Sequence, residues 1–202
     1  MTERFWGMEH VVEKSKKVTQ SLKSVLGELL RNVDLYSTPM RSNFLSLHPT
    51  DVPADYNGRD LMDIGSSAGY RYKEIEACFR PKSYVGVDKN STAVTAGKRR
   101  NLDIRQVDFV DEYLEGDLGV MFGTYTTPDV VKKLGEHFNL LVFNVYAADK
   151  VRESEIIKEY EGLLGNENFD KIVTHKISSA NDVSIDFFYR PKHTKENMTS
   201  EP

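Results

Sequence analysis

Cysteine and long apolar runs are nearly absent from this sequence of 202 residues. The single cysteine, Cys78, cannot form a disulfide within the chain, and it cannot supply a cysteine-based zinc cluster. No stretch approaches the roughly 18 consecutive apolar residues that a membrane-spanning helix needs. Internal repeats and low-complexity blocks are also missing. The sequence therefore predicts a globular protein without a membrane-embedded part.

An excess of basic residues is lacking too, because 27 Lys and Arg stand against 31 Asp and Glu, for a formal net charge of −4. A surface that binds a polyanion over its whole area is therefore not expected, although a local basic patch remains open. Lysine and glutamate are scattered through the first twenty residues, which leaves no apolar segment of the signal-peptide type. We expect a cytoplasmic protein.

The chain divides into three predicted parts. These are an N-terminal helical segment with a linker at 1–59, an α/β domain at 60–190 and a flexible tail at 191–202. In the first part, apolar residues such as Leu22, Leu26 and Leu29 recur at helical spacing on one face. Such a face packs on the body of the protein, binds a partner protein or lies on a membrane surface. The pattern favours the first of these and leaves the others open.

From residue 60 onward, apolar runs typical of strands alternate with helical patterns. Strands are predicted at 60–64, 83–88, 104–109, 118–125, 139–145, 171–177 and 183–189, and helices at 70–79, 91–100, 150–164 and from Pro128 onward. This alternation indicates an α/β fold with a mostly parallel sheet covered on both faces. Only residues 178–182 separate the last two strands, so these should pair as an antiparallel hairpin.

The most informative segment is Asp63-Ile64-Gly65-Ser66-Ser67-Ala68-Gly69, which follows the first predicted strand and opens a helix. Gly65 lets the chain turn sharply, and Gly69 lets the backbone approach a ligand or the neighbouring strand. The N–H groups at the start of the helix are suited to an anionic group. A lone Gly-x-x-x-Gly is a weak signal, and its interpretation depends on the strands that follow.

Acidic residues stand at the ends of the next two predicted strands. Asp88 ends the second strand, where a carboxylate can accept hydrogen bonds from two ribose hydroxyls. Asp108 and Phe109 end the third, where an acid can bind an adenine amino group and an aromatic ring can cover the base. In an open α/β sheet these strand ends line the ligand crevice. Together they predict an adenosine-containing ligand.

The segments DIGSSAG, YVGVDKN and QVDFVDE resemble motif I, the acidic end of the second strand and the adenine motif of class I S-adenosylmethionine-dependent methyltransferases. The order and spacing of strands over 60–189 are similar as well. The resemblance implies a Rossmann-like methyltransferase sheet, mostly parallel with a terminal antiparallel hairpin, preceded here by the N-terminal helical segment. It also implies S-adenosyl-L-methionine as the cofactor.

By this resemblance, one group of residues surrounds the methionine part of the cofactor: Asp63, Gly65, Ser67 and Gly69. Asp88 would bind the ribose, and Asp108 with Phe109 the adenine. Ser67 stands where the family usually has its second glycine. The GSSAG form and the phrase DFVDE look like the subset that methylates RNA ribose 2′-hydroxyls.

The Lys-Asp-Lys-Glu catalytic tetrad of that subset is not preserved. The fourth strand ends in Gly123-Thr124-Tyr125 without an acid, and Asn144 stands where the second lysine would be. Asp186 is a candidate for the glutamate, and Lys176 for a lysine. The NPPY-type motif of amino-group methyltransferases is absent as well.

Methyl transfer depends largely on alignment of the nucleophile. For this reason we name Tyr125 and Asn144 as catalytic candidates, with Tyr146 beside them as a further residue that could orient an acceptor.

Two functions remain open at this stage. The first is a methyltransferase whose acceptor is RNA, a protein or a small molecule. The second is a catalytically degenerate, methyltransferase-like binding protein, for instance an RNA-associated accessory subunit. A nicotinamide dehydrogenase is disfavoured, because the glycine turn lacks the G-x-G-x-x-G spacing. The histidines show no metal-ligand spacing, so no metal is expected.

Two charged segments bear on the choice of partner. Residues 103–117 hold six acids against Arg105 alone, and we expect this acidic rim to disfavour a nucleic-acid backbone beside the adenine site. The run Lys98-Arg99-Arg100 closes a predicted helix. It is interpreted as compensation of the helix dipole, with phosphate binding as the alternative.

Overall fold

The computed structural model describes residues 47–124, 126–147, 149–176 and 183–192, all of which belong to one compact unit, Arg41–Pro202. The predicted N-terminal helix, most of the predicted tail and the candidate residue Tyr125 lie outside the described residues. In the described part, no helix is both long and apolar enough to span a membrane.

In the described part of the chain, seven strands form a single sheet. Their bounds are β1 Asp60–Ile64, β2 Ser83–Asp88, β3 Ile104–Gln106, β4 Gly116–Met121, β5 Phe138–Ala147, β6 Phe169–Lys176 and β7 Val183–Tyr189. The strand order is β3-β2-β1-β4-β5-β7-β6, and β7 runs antiparallel to both of its neighbours, β5 and β6. The predicted mostly parallel sheet with a terminal antiparallel hairpin is confirmed.

Four helices connect β1 to β2, β2 to β3, β4 to β5 and β5 to β6 in the described residues; in this order they are α1 Tyr72–Phe79, α2 Ser91–Arg99, α3 Pro128–Gly135 and α4 Lys150–Leu164. Their ends follow local chemistry. The Asn90 side chain accepts the N–H groups of Thr92 and Ala93 at the start of α2. Thr127 caps α3 ahead of Pro128, and Gly165 with a φ of +84° ends α4.

Two predicted strands end earlier than their apolar runs suggest. The third was predicted to reach residue 109, but β3 ends at Gln106, because the Asp108 carbonyl accepts the N–H groups of Asp111 and Glu112 in a turn. The fourth was predicted over 118–125, but β4 ends at Met121 and the chain turns at Gly123 with a φ of +67°. Phe109 and Phe122 are buried from these turns, which explains why the apolar pattern continues past the strands.

The sheet is covered on both faces by apolar side chains. On one face, Ile75 and Phe79 of α1 and Tyr56 pack over Leu118 and Phe188. On the other face, residues of α3 and α4 pack over Ile64, Met121, Phe143 and Phe187. Because two covered faces immobilise the strands, the loops at the carboxyl edge of β1, β2, β4 and β5 are held on a rigid support, and this edge is where ligands bind in such sheets.

Candidate functional site at the carboxyl edge of the sheet

The loop between β1 and α1 contains three residues in the left-handed region. Gly65, Ser67 and Gly69 have φ angles of +74°, +53° and +66°. The Val87 carbonyl at the end of β2 accepts the N–H groups of Gly65 and Ser66 at 2.8 and 3.0 Å. The loop is therefore tied to the neighbouring strand and presents its backbone at the edge of the sheet. Ser67 thus holds a conformation that favours glycine.

Asp88 connects the end of β2 to this loop. Its Oδ2 accepts the Ser67 N–H and its Oδ1 accepts the Asn90 N–H, both at 2.8 Å. Each carboxylate oxygen has two lone pairs, so one on each oxygen is left for a further donor. The side chain is thus orientated by the backbone and retains the capacity to accept two hydroxyl groups.

The loop after β1 lies so close to neighbouring segments that only glycine fits at positions 65 and 69. A Cβ atom on Gly65 would stand 2.5 Å from Thr124 Oγ1, in the loop after β4. A Cβ atom on Gly69 would collide with Leu102, ahead of β3. The loop is therefore packed directly against two neighbouring segments.

Asp63 is a buried acid at the carboxyl end of β1, with only 4% of its surface exposed. Its Oδ2 accepts the Tyr84 hydroxyl at 2.8 Å. Burial raises the pKa of Asp63 to about 6, against the opposing effects of the Tyr84 hydrogen bond and the Arg71 charge. A carboxyl kept out of water in this way interacts strongly with any cationic group that reaches it.

Arg71 is a residue of this site that sequence reasoning missed. A Cβ atom on Gly123 would stand 2.6 Å from Arg71 Nη2, so the guanidinium lies against the turn after β4. Its charge acts on Asp63 and on Tyr146. Arg71 precedes α1 and belongs to no motif, so only the fold brings it to the crevice.

The predicted adenine residues follow β3 in a turn. Asp108 Oδ1 accepts the Val110 N–H at 3.2 Å, and Oδ2 lies 3.7 Å from Lys89 Nζ. The Asp108 side chain is partly exposed, whereas Phe109 is 7% exposed and belongs to the hydrophobic core beside Leu114. The acid therefore faces the edge of the sheet, while the aromatic ring supports the turn from below.

Asn144 bridges β4 and β5. Its Oδ1 accepts the Gly123 N–H at 2.9 Å, and its Nδ2 donates to the Tyr146 hydroxyl at 2.8 Å. The side chain is 3% exposed, and both ends of its amide are engaged. This geometry holds the turn after β4 in place. Asn144 pairs with Asp186 across β5 and β7, whereas Lys176 alternates with His175 and so lies on the opposite face of the sheet from Asp186.

The charged segments are distributed differently from the prediction. The expected acidic rim at 103–117 is wrong in part, because Asp103 and Asp117 lie at the amino ends of β3 and β4, away from the adenine position, and Asp117 pairs with Arg59 at 3.1 Å.

Arg100 contacts the glycine loop, since its Nη1 donates to the Ala68 carbonyl at 3.1 Å and its guanidinium lies over the Tyr70 ring.

Metal binding finds no support in the part of the chain that the structure describes, where no group of three or more His, Cys, Asp or Glu side chains is arranged to hold a metal ion.

No protein-family model matches the sequence, and no curated protein matches it at a significant level. Several solved structures, however, match the fold of this chain. Magnesium protoporphyrin IX methyltransferase from Synechocystis with bound SAM has 16% identity and a TM-score of 0.50, over 67% of this chain and 71% of that one. M. jannaschii TYW2 in complex with AdoMet has 18% identity and a TM-score of 0.50, over 79% and 76%.

A third structure is geranyl diphosphate C-methyltransferase from Streptomyces coelicolor in complex with S-adenosyl-L-homocysteine, with 11% identity, a TM-score of 0.50 and coverage of 67% and 76%. The fold is that of a class I methyltransferase. At these identities the similarity establishes the fold alone, and the names of two of the three proteins refer to unlike compounds, magnesium protoporphyrin IX and geranyl diphosphate. The methyltransferase fold therefore leaves the acceptor of this chain to be argued from its own residues.

Proposed function

We propose that this chain binds S-adenosyl-L-methionine at the carboxyl edge of the sheet and transfers its methyl group to an acceptor. The observation that carries the proposal is the bond between Ser67 N–H and Asp88 Oδ2, which joins a left-handed glycine loop to the acidic end of β2. A loop of this kind brings backbone N–H groups close to a ligand, and the acid beside it accepts hydroxyl groups.

The adenosine part of the cofactor fits the end of β2 and the turn after β3. Asp88 keeps one lone pair on each oxygen for the two ribose hydroxyls, since each oxygen accepts a single backbone N–H. Asp108 keeps acceptor capacity toward an adenine amino group. Phe109 would line the base from the core side.

The methionine part fits the other end of the loop, where the structure places opposite charges. Asp63 and Arg71 lie near the turn after β1 and the turn after β4, respectively. An amino acid group carries one positive and one negative charge at neutral pH, so the pair is complementary to it. Gly65, Ser67 and Gly69 would supply the backbone surface between them.

The bound cofactor supplies an electrophilic sulfonium methyl group, so this chain's residues need mainly to orient the acceptor and accept its proton. Asn144 fixes Gly123 and Tyr146, which stand next to the loop. We extend the proposal to Tyr125, which follows Thr124 in the sequence. The domain at 60–190 would hold this chemistry, in a cytoplasmic protein.

The alternative proposal is a degenerate, methyltransferase-like binding protein. It is favoured by the engagement of Asn144, whose amide is used at both ends to hold the backbone and Tyr146. It is also favoured by Lys176, because this residue lies on the sheet face opposite Asp186 and the two would not act together as members of a tetrad of the RNA 2′-O-methyltransferase type. Methyl transfer that proceeds through alignment and a different proton acceptor does not need that tetrad.

Calorimetric titration with S-adenosylmethionine and S-adenosylhomocysteine tests the cofactor site. We expect binding in the micromolar range and a loss of at least tenfold in affinity for Asp88→Ala, because the ribose acceptor and the tie to Ser67 are both removed. Asp103→Ala is the matched control, since this acid lies at the opposite edge of the sheet and should leave affinity unchanged. No binding at millimolar ligand would overturn the proposal.

A transfer assay separates the two proposals. The protein is incubated with methyl-labelled S-adenosylmethionine and with pools of RNA, protein and small molecules. Label in any pool that is lost with Asp88→Ala supports a methyltransferase. Tight cofactor binding without transfer to any pool would favour the degenerate binding protein.

A further inference from the structure

A row of polar side chains crosses the last three strands on the sheet face that α1 shares. The row consists of Asn144 and Tyr146 on β5, Ser184 and Asp186 on β7, and His175 on β6. Register defines it, because Asn144 pairs with Asp186 and Ser184 stands between Tyr146 and His175. We call this set the polar row.

Three atoms of the polar row are buried without a hydrogen-bond partner among the described residues: Asp186 Oδ2, Ser184 Oγ and His175 Nε2. Asp186 is 2% exposed and Ser184 1%. Polar atoms removed from water without a partner are costly to a fold and are rare in native proteins. Two of them side by side on one strand require partners that water or a ligand supplies.

The charges around Asp186 leave its carboxylate poorly compensated. His175 Nε2 faces Asp186 Oδ2 at 3.6 Å, which is too long for a hydrogen bond, and also lies 3.7 Å from Asp51 Oδ2. Lys171 is directed to Asp51. Burial and the repulsion of Asp51 raise the pKa of Asp186 to about 7. A cationic or strongly donating group would satisfy this carboxylate.

The polar row is continuous with the proposed cofactor site. Gly65 packs against Thr124, and the neighbouring Gly123 donates its N–H to Asn144. Asn144 in turn donates to Tyr146, which pairs with Ser184. A ligand in the row would therefore extend from the turn after β4, next to the glycine loop.

We propose that the polar row binds the methyl acceptor, and that this acceptor is a small molecule with an aliphatic amine. The inference rests on the proposed function and narrows its substrate class. An amine offers N–H donors to Asp186 and Ser184, and a slender aliphatic chain reaches atoms that are almost inaccessible.

The step balances without a further reactant. The neutral amine nitrogen uses its lone pair to form the N–CH3 bond while the S–CH3 bond of S-adenosylmethionine breaks and its electron pair stays on sulfur. The products are S-adenosylhomocysteine and a methylated ammonium. The neutral amine arises before this step, when the bound ammonium gives one proton to the Asp186 carboxylate and from there to solvent.

The experiment compares wild type with Asp186→Asn at pH 8 in three measurements. These are S-adenosylmethionine affinity, the midpoint of thermal unfolding, and transfer of labelled methyl to putrescine, cadaverine and tyramine, with butane-1,4-diol, pentane-1,5-diol and tyrosol as matched alcohols. We expect wild type to label amines and not alcohols. Asp186→Asn should keep cofactor affinity, raise the unfolding midpoint and lower amine methylation at least tenfold.

A structural ion pair between Asp186 and His175 predicts the reverse for stability, because the substitution would then lower the midpoint, and that result overturns the proposal. Wild-type protein that binds the cofactor but labels alcohols, or none of the probes, overturns it too. Ser184→Ala is the second variant, with unchanged stability and weaker amine methylation expected. Failure of wild type to bind S-adenosylmethionine counts against the proposed function itself.

Discussion

Gly65 lies directly against Thr124, with space for a hydrogen atom and none for a methyl group. A Cβ on Gly65 would stand 2.5 Å from Thr124 Oγ1 and 2.7 Å from its Cβ. The contact joins the loop after β1 to the loop after β4, which are the two loops proposed to hold the cofactor and the acceptor. It makes the spacing between these loops sensitive to a single methyl group.

Gly65→Ala should therefore destabilise the protein and weaken cofactor binding. The left-handed φ costs a non-glycine residue roughly 1–2 kcal/mol, and overpacking against Thr124 adds about 1–3 kcal/mol. Urea unfolding and calorimetry with S-adenosylmethionine measure the two effects.

Gly58→Ala is the control for the backbone term, because Gly58 has a φ of +67° and nothing within 4 Å of its Cβ position. The loss of stability caused by Gly58→Ala should therefore stay near the roughly 1–2 kcal/mol that the left-handed backbone alone costs, and cofactor affinity should not change. The double variant Gly65→Ala, Thr124→Gly should recover the packing part of the loss, and equal stability of the single and double variants would contradict the proposed contact.

Arg71 should discriminate between parts of the cofactor. If its guanidinium binds the methionine carboxylate, Arg71→Ala should lower affinity for S-adenosylmethionine about tenfold or more, as expected for loss of a charge-assisted hydrogen bond. Affinity for 5′-methylthioadenosine, which lacks the amino acid group, should not change. Asp88→Ala should weaken both ligands, because both contain the ribose. A purely structural role for Arg71 predicts equal losses for the two ligands.

Replacement of Ser67 by glycine should increase the free energy of unfolding of the protein. Ser67 holds a φ of +53° and its N–H bond to Asp88 comes from the backbone, so glycine keeps the bond and removes the conformational cost. After the entropy that glycine loses on folding, we expect a gain of up to about 1 kcal/mol in unfolding free energy. Arg80→Gly, at the left-handed end of α1, is the matched control for the same effect. Ser67→Val should destabilise, and a neutral result for it would contradict the assignment.

Local patterns were sufficient for the elements nearest the cofactor site. β1 and β2 have the predicted bounds, since each is a short apolar run that ends at a glycine turn or an acid. Asn90 caps α2 through a geometry that depends only on the next three residues. The ends of β3 and β4 were wrong, because Phe109 and Phe122 enter the core from turns and so continue the strand pattern.

The polar row was not predictable in the same way. Asn144, His175 and Asp186 come from three strands, and only the β5-β7-β6 register places them on one face. Sequence reasoning treated His175 as a residue without metal spacing and Asp186 as a possible tetrad member, without connecting the two. Arg71 was missed for a similar reason, since its position against Gly123 depends on the packing of α1 beside β4.

The stability of the protein should fall as pH rises from about 4 to 7, because of two buried acids. Burial first, then repulsion from Asp51, raises the pKa of Asp186 from 3.8 to about 7, and burial raises that of Asp63 to about 6. Over this interval the folded state holds protons that the unfolded state has released, so the stabilisation is complete at low pH and is lost as pH rises through the folded pKa values.

Between pH 5.5 and 8, Asp186 alone should account for a decrease of about 2 kcal/mol in unfolding free energy, at about 1.4 kcal/mol per pH unit. Urea unfolding at several pH values measures it. Asp186→Asn should remove that part of the slope while leaving Asp51, Lys171 and His175, which surround it, unchanged. The exposed acid Asp103, replaced by Asn, should keep the wild-type slope. An identical slope in wild type and Asp186→Asn would show that this carboxyl is already ionised in the folded protein at pH 5.5, and would remove the electrostatic reason for an amine in the polar row.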